Sequence, residues 1–135
     1  MQMNIQELAT AVINNVNIKI VILNNACLGM VRQWQELFYK RRYSAVCLTK
    51  SDGCLACDAS AKRPPFYTPD FVKVAQAYGM IGMRISKKED VESTLIEAFK
   101  INKAVIMEFM VEEEENVLPM VPAGAALDDA ILNLA

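Results

Sequence analysis

Ile18–Met30, IKIVILNNACLGM, constrains the fold of this chain more than any other stretch. Ile18, Ile20, Val21, Ile22 and Leu23 form an apolar run too short for a helix and too apolar for a surface strand, the pattern of a parallel strand buried on both faces. Asn24 and Asn25 end the run, at the carboxyl end where ligands of open α/β sheets gather. A carboxamide oxygen there is a hard, neutral donor suited to a Mg²⁺ ion that a diphosphate also coordinates. Leu28-Gly29-Met30 then brings backbone close to such a ligand and opens a helix whose first N–H groups favour phosphate. An ordinary strand-ending turn is the alternative. The same dipeptide at Asn14-Asn15 follows no buried strand and is expected only to end a helix or make a solvated turn.

The remaining pattern alternates between the two periodicities. Ile5, Leu8, Ala9, Val12 and Ile13 make a helical stripe, with Asn4 and Glu7 spaced as a capping box. Gly29–Tyr39 reads as a helix carrying Met30, Val31, Trp34, Leu37 and Phe38 on one side, with Gln33 and Gln35 expected in solvent. Pro69-Asp70 opens a helix that Gly79 closes. Met80–Ile85 reads as a strand, Asp90–Lys100 as an amphipathic helix and Ala104–Val111 as a strand. This order predicts an α/β fold, a parallel sheet flanked by helices in one domain over residues 1–135.

Composition narrows the partners. Fourteen basic and sixteen acidic side chains give a net charge of −2, so no broad basic surface for nucleic acid is expected. No apolar run approaches the roughly 18 residues that span a bilayer, and no membrane partner is expected. The start, Met1-Gln2-Met3-Asn4, lacks the order of a secretory signal, and a cytoplasmic domain is expected.

The chain resembles the C-terminal, thiamine-diphosphate-binding domain of acetohydroxyacid synthase (acetolactate synthase) large subunits. Five segments carry the resemblance, in family order: Met3–Ala11, Val21–Tyr39 (VILNNACLGMVRQWQELFY), Arg41–Ser44, Pro69–Gly79 and Glu115–Asp129 (ENVLPMVPAGAALDD). The resemblance implies thiamine diphosphate and Mg²⁺ as cofactors, with Asn25 and the Cys27 carbonyl on the metal and Asn25, Cys27, Leu28, Gly29 and Met30 around the cofactor. It also implies a substrate channel walled by Met30, Val31 and Trp34, although periodicity alone reads Met30 and Trp34 as core. Under the resemblance, the assembled enzyme decarboxylates pyruvate and joins it to a second 2-oxo acid, pyruvate or 2-oxobutanoate, in branched-chain amino-acid biosynthesis. The family's Gly-Asp-Gly aspartate, which ligates the metal, would fall just before Met1. The activating glutamate and the FAD-associated domain are also expected elsewhere, FAD belonging only to the full-length family enzyme. The chain therefore reads as an N-terminally truncated, partial domain holding no catalytic residue, inactive alone and expected to form homo-oligomers. The alternatives are a non-catalytic cofactor-binding or dimerisation module, or a related thiamine-diphosphate decarboxylase or carboligase.

Residues 45–68 lie outside the shared motifs. Cys47, Cys54 and Cys57 are spaced C-x6-C-x2-C. A zinc site completed by a carboxylate or Cys27, and a disulfide formed in vitro, are the alternatives, but no second CxxC pair and no histidine accompany the cysteines, so thiols on a loop are the plainer reading. Lys40-Arg41-Arg42 is expected to meet the C-terminal dipole of the preceding helix, with contact to a substrate carboxylate as the other reading. Glu112–Glu115 reads as a solvated strand exit. In the tail, 116–135, Pro119, Pro122 and Gly124 set an irregular path before Ala125–Leu134 resumes helical periodicity. By the resemblance, this tail closes over the cofactor cleft of the full enzyme and is loose in the isolated chain.

Overall fold

The computed structural model describes residues 1–48 and 68–133. Its elements run α1 (Glu7–Ile13), β1 (Lys19–Asn24), α2 (Gly29–Phe38), α3 (Phe71–Ala77), β2 (Ile81–Ile85), α4 (Val91–Lys100) and β3 (Val105–Met110). The sheet is parallel in the order β1-β3-β2, with Val21 beside Met107 and Met83 beside Met107 on its other flank. Helix–strand alternation thus yields the predicted parallel sheet, because parallel neighbours need a crossover and here helices supply it.

Two cores form, one on each face. Leu8 of α1 and Phe71 and Ala75 of α3 pack with Ile106, Ile20 and Ile22. On the other face, Ala98, Val91 and Leu95 of α4 cover Val105, Met107, Phe109 and Ile85. Among the described strands, only β3 is buried on both faces, with Val105 to Phe109 all enclosed.

The expectation that β1 is buried on both faces is therefore corrected. Val21 is 51% and Leu23 69% exposed, on the face that α4 covers over β2 and β3 but that no described element covers over β1. The capping box is corrected too. Asn4 lies in a 3₁₀ turn (Gln2–Asn4), and α1 starts after Gln6 without a side-chain cap bond. Asp70 does cap α3, accepting the Lys73 N–H at 3.3 Å, and Gly79 leaves that helix at φ +77°.

The tail forms no helix over 125–133. It makes a 3₁₀ turn at Leu127–Asp129, and Ile131 then pairs antiparallel with Met120 (N···O 2.8 and 3.0 Å), committing the backbone groups a helix would need. Leu134 lies outside the described residues.

Candidate functional site

Strand β1 ends in a turn built by its own two asparagines, each doing different work. Asn24 Oδ1 accepts the Ala26 N–H (3.0 Å), while Asn24 Nδ2 donates to Glu108 Oε1 on the neighbouring strand (2.7 Å). Both ends of that carboxamide therefore fasten the turn to the sheet. Asn25 Oδ1 accepts the Cys27 N–H (3.2 Å), holding the next step of the turn, and Ala26 sits between at φ +56°. The turn is braced from outside by the segment after α2. The Leu28 N–H donates to the Val46 carbonyl (2.8 Å) and the Leu48 N–H to the Ala26 carbonyl (2.7 Å).

Gly29 starts α2 directly against the Asn25 carboxamide. A Cβ at position 29 would lie 2.9 Å from Asn25 Nδ2, so the absence of a side chain there sets where Asn25 rests. Asn25, Cys27, Leu28, Gly29 and Met30 are thus brought together in one turn and helix start. The oxygens it offers a cation are neutral, a carboxamide and backbone carbonyls. Among the described residues, no group of three or more Cys, Asp or Glu could hold a metal ion. The zinc reading cannot be placed, since Cys54 and Cys57 lie outside the described residues.

Helix α2 is amphipathic in the opposite sense to an ordinary surface helix. Its polar residues Arg32 (1% exposed) and Gln33 (2%) are buried, while Met30, Val31, Trp34 and Phe38 are each about half exposed. The reason is the tail. Gln33 Nε2 donates to the Val117 carbonyl (2.9 Å) and Gln33 Oε1 accepts the Val117 N–H (3.0 Å), so one carboxamide pairs with a backbone as a strand would. Arg32 pairs with Glu36 at 2.8 Å and with Asn116 Oδ1, and Asn116 Nδ2 returns to Glu36 (2.8 Å). Two expectations fall here: Gln33 is not in solvent, and the tail is not loose at Asn116–Val117. Gln35, half-buried, holds the Ser44 N–H and carbonyl at 3.0 and 3.1 Å at the surface. Of the basic cluster, Arg42 Nε reaches the Tyr39 carbonyl at the helix end (3.2 Å), as expected of a C-terminal cap, whereas Arg41 pairs with Glu36 (2.7 Å).

Burial works to lower the Arg32 guanidinium, but hydrogen bonds to Glu36 and Tyr43 outweigh it and hold the charge more firmly than usual. For Glu36, burial pushes the carboxyl up. Hydrogen bonds from Asn116, Arg32 and Arg41 win, leaving it below the ordinary carboxylate range.

A second cluster lies beside Asn24, at the carboxyl ends of all three strands. There a cavity of about 570 Å³ is lined by Asn24, Asp70, Lys73, Arg84, Ser86 and Glu108, among others. Glu108, 2% exposed, accepts from Arg84 Nε (2.8 Å), and Arg84 Nη2 reaches Asp70 Oδ1 (2.8 Å). The hydrogen bond to Glu108 raises the Arg84 guanidinium above its ordinary value. The sequence held a signal for this cluster. A lone carboxylate inside the apolar run Ala104–Val111 must find a partner, and Arg84 sits directly opposite Glu108 in the register. Glu108→Ala removes the acceptor for both Asn24 and Arg84; since Arg84 is partly exposed and keeps Asp70, the expected loss is about 2 kcal/mol of unfolding free energy, read by urea titration.

Comparison with known proteins follows the same lines. A family profile described as "Thiamine pyrophosphate enzyme, C-terminal TPP binding domain" matches residues 1–109. The acetolactate synthase large subunit of Haemophilus influenzae is 40% identical over 133 residues, covering 98% of this chain and 20% of that protein. The acetolactate synthase isozyme 2 large subunit of Escherichia coli is 36% identical over 133 residues, covering 98% of this chain and 21% of its own length. The rice protein "Acetolactate synthase 1, chloroplastic" is 34% identical over 131 residues, covering 97% of this chain and 19% of its own. The chain therefore spans about a fifth of the length of these relatives. Among solved structures, a Rhodococcus jostii thiamine diphosphate-dependent 4-hydroxybenzoylformate decarboxylase superposes with a TM-score of 0.62 at 19% identity, over 84% of this chain and 18% of that one, a likeness of fold. Among the described residues, no helix is long and apolar enough to cross a membrane.

Proposed function

The chain belongs to the thiamine pyrophosphate enzymes, as their C-terminal TPP-binding domain, and from that premise we propose that it forms the metal and diphosphate side of an acetolactate synthase active site. The observation that carries the reading is the Asn25–Gly29 turn. It closes a parallel strand, leads into a helix, and seats the Asn25 carboxamide against a residue that has no room for a Cβ.

In this reading, Asn25 Oδ1 and the Cys27 carbonyl are ligands to Mg²⁺, and the backbone of Leu28, Gly29 and Met30 approaches the diphosphate. Bound thiamine diphosphate supplies the electron sink for decarboxylating and joining 2-oxo acids such as pyruvate and 2-oxobutanoate. The chain's own contribution is binding and shape. Met30, Val31 and Trp34 present an apolar wall from α2, and the buried Arg32–Gln33 face keeps that wall turned outward. The ligands from this turn are neutral, and the family resemblance places an aspartate carboxylate on the metal from outside it, beside the charge of the diphosphate. The chain alone is then a half-site without a catalytic residue, active only within a homo-oligomeric enzyme of cytoplasmic type.

Gly29→Ala tests the geometry without touching a ligand. The added methyl displaces the Asn25 carboxamide, so affinity for thiamine diphosphate with Mg²⁺ falls by about tenfold or more, the ~1.4 kcal/mol cost of one distorted ligand. Displacing that carboxamide also loosens its hold on the Cys27 N–H, so the unfolding free energy falls by about 1 kcal/mol and the variant stays folded. Unchanged affinity in the folded variant would remove Asn25 from the site. The reaction is tested by joining the chain to the upstream region of the H. influenzae relative and supplying pyruvate. Acetolactate supports the reading, whereas acetaldehyde without acetolactate favours a simple decarboxylase.

A further inference from the structure

We propose that Cys27 and Cys47 form a thiol–disulfide modification site that ties the Asn24–Gly29 turn to the segment after α2. The two residues face each other across an isolated antiparallel bridge. Its hydrogen bonds, Leu28 N–H to the Val46 carbonyl (2.8 Å) and Leu48 N–H to the Ala26 carbonyl (2.7 Å), flank the cysteines on either side and leave them as the pair between. Such a non-hydrogen-bonded pair is the closer of the two antiparallel kinds, with Cα atoms about 4.5 Å apart and both side chains on one side. Disulfides span Cα separations of about 4.4–6.8 Å, a range that includes the spacing of this register.

The surroundings favour a specific reaction over general oxidation. Cys27 is 7% and Cys47 5% exposed, with Val46 fully buried beside them. Once one sulfur has reacted, the bridge holds the other cysteine directly opposite it. The oxidant is a low-molecular-weight disulfide such as oxidised glutathione. The thiolate of one cysteine attacks it, forming a mixed disulfide and releasing one glutathione. The second cysteine's thiolate then attacks the first cysteine's sulfur, the protein S–S bond forms, and the second glutathione leaves. The chain loses two electrons and two protons, and the glutathione disulfide gains both to become two thiols.

Cys27 occupies a sensitive position in the turn. Its N–H is the group that holds Asn25 Oδ1, so fixing its sulfur to Cys47 restrains the residue against which Asn25 is set. An effect on metal or diphosphate affinity rests on the proposed function; the linkage itself does not.

The test uses the full chain, folded, equilibrated with reduced and oxidised glutathione, acid-quenched, alkylated and mapped by peptide mass spectrometry. The expected result is loss of alkylable thiol at Cys27 and Cys47 together, with a peptide linking them that disappears on reduction. The link should persist in a Cys54→Ser, Cys57→Ser chain; the map of the unmodified chain decides the matter if that variant does not fold. Recovery of Cys27 and Cys47 as alkylated thiols, as separate glutathione adducts, or linked to Cys54 or Cys57 would overturn the proposal. A Cys27–Cys47 link in a chain that binds no thiamine diphosphate would uphold it while counting against the proposed function.

Discussion

Replacing Glu36 with alanine is expected to lower the unfolding free energy by about 3–4 kcal/mol, because it strands a buried charge. Arg32 is 1% exposed, and its ionic partner is Glu36, itself 7% exposed at the side chain. Without that carboxylate, the guanidinium keeps the Asn116 carboxamide oxygen and Tyr43 but loses its ionic partner, and Asn116 Nδ2 loses its own acceptor. The damage should concentrate where the network points. Amide exchange is expected to quicken at Asn116–Met120 more than in β3, since the tail is fastened to α2 through Arg32, Gln33 and Glu36. Equal loss across the chain would mean that the network supports the whole fold and not the tail.

The same carboxylate sets an acid limit. Its folded pKa lies below the unfolded value of about 4.3, so its stabilisation is fully present above that value and is lost as pH falls through the folded one. Glu36→Gln keeps the shape and removes the titration. Its unfolding midpoint should depend less on pH below about 4.3 than that of the parent chain.

Gly82→Ala carries the second large effect, about 3 kcal/mol, through overpacking between a strand and a helix. A Cβ at position 82 would meet the Val72 Cα and carbonyl oxygen at 2.8 Å and the Ala75 Cβ at 3.1 Å. Two of those atoms are backbone and have no rotamer to escape into. Helix α3 must lift from β2, opening the core around Phe71, Ala75 and Ile106. Thermal denaturation reads the loss. A midpoint within error of the parent would show that α3 can shift at little cost.

Much of this fold was legible in the sequence because local pattern and tertiary environment agree. The apolar strands, the helix capped by Asp70 and closed by Gly79, and the turn after Asn24 all follow from spacing and residue type. The errors share one cause, which is that burial depends on a partner and periodicity does not name the partner. Val21 and Leu23 look like core residues and are exposed, because among the described strands β1 is a sheet edge that α4 does not reach. Gln33 looks solvated and is buried, because a tail 84 residues later offers its backbone to the carboxamide. Ala125–Leu134 has a helix's spacing, but pairing of Ile131 with Met120 takes the backbone bonds first.

The site divides in the same way. The turn that brings Asn25, Cys27 and Gly29 together was legible, since a turn at the end of a strand is a local feature. The Asp70–Arg84–Glu108 network was not found, because its members lie on three elements that only the β1-β3-β2 order brings together. Arg32 and Glu36 could have been paired by their helical spacing, yet nothing local shows that the pair is buried.

The most direct measurement is calorimetric titration of the folded chain with thiamine diphosphate in the presence of Mg²⁺, alongside Asn25→Ala. The expected result is saturable binding at one site that requires Mg²⁺ and is lost in the variant, with both chains equally folded by circular dichroism. Binding unchanged by Asn25→Ala, or no binding by the folded parent, would contradict the assignment of the Asn25–Met30 turn as a metal and diphosphate site.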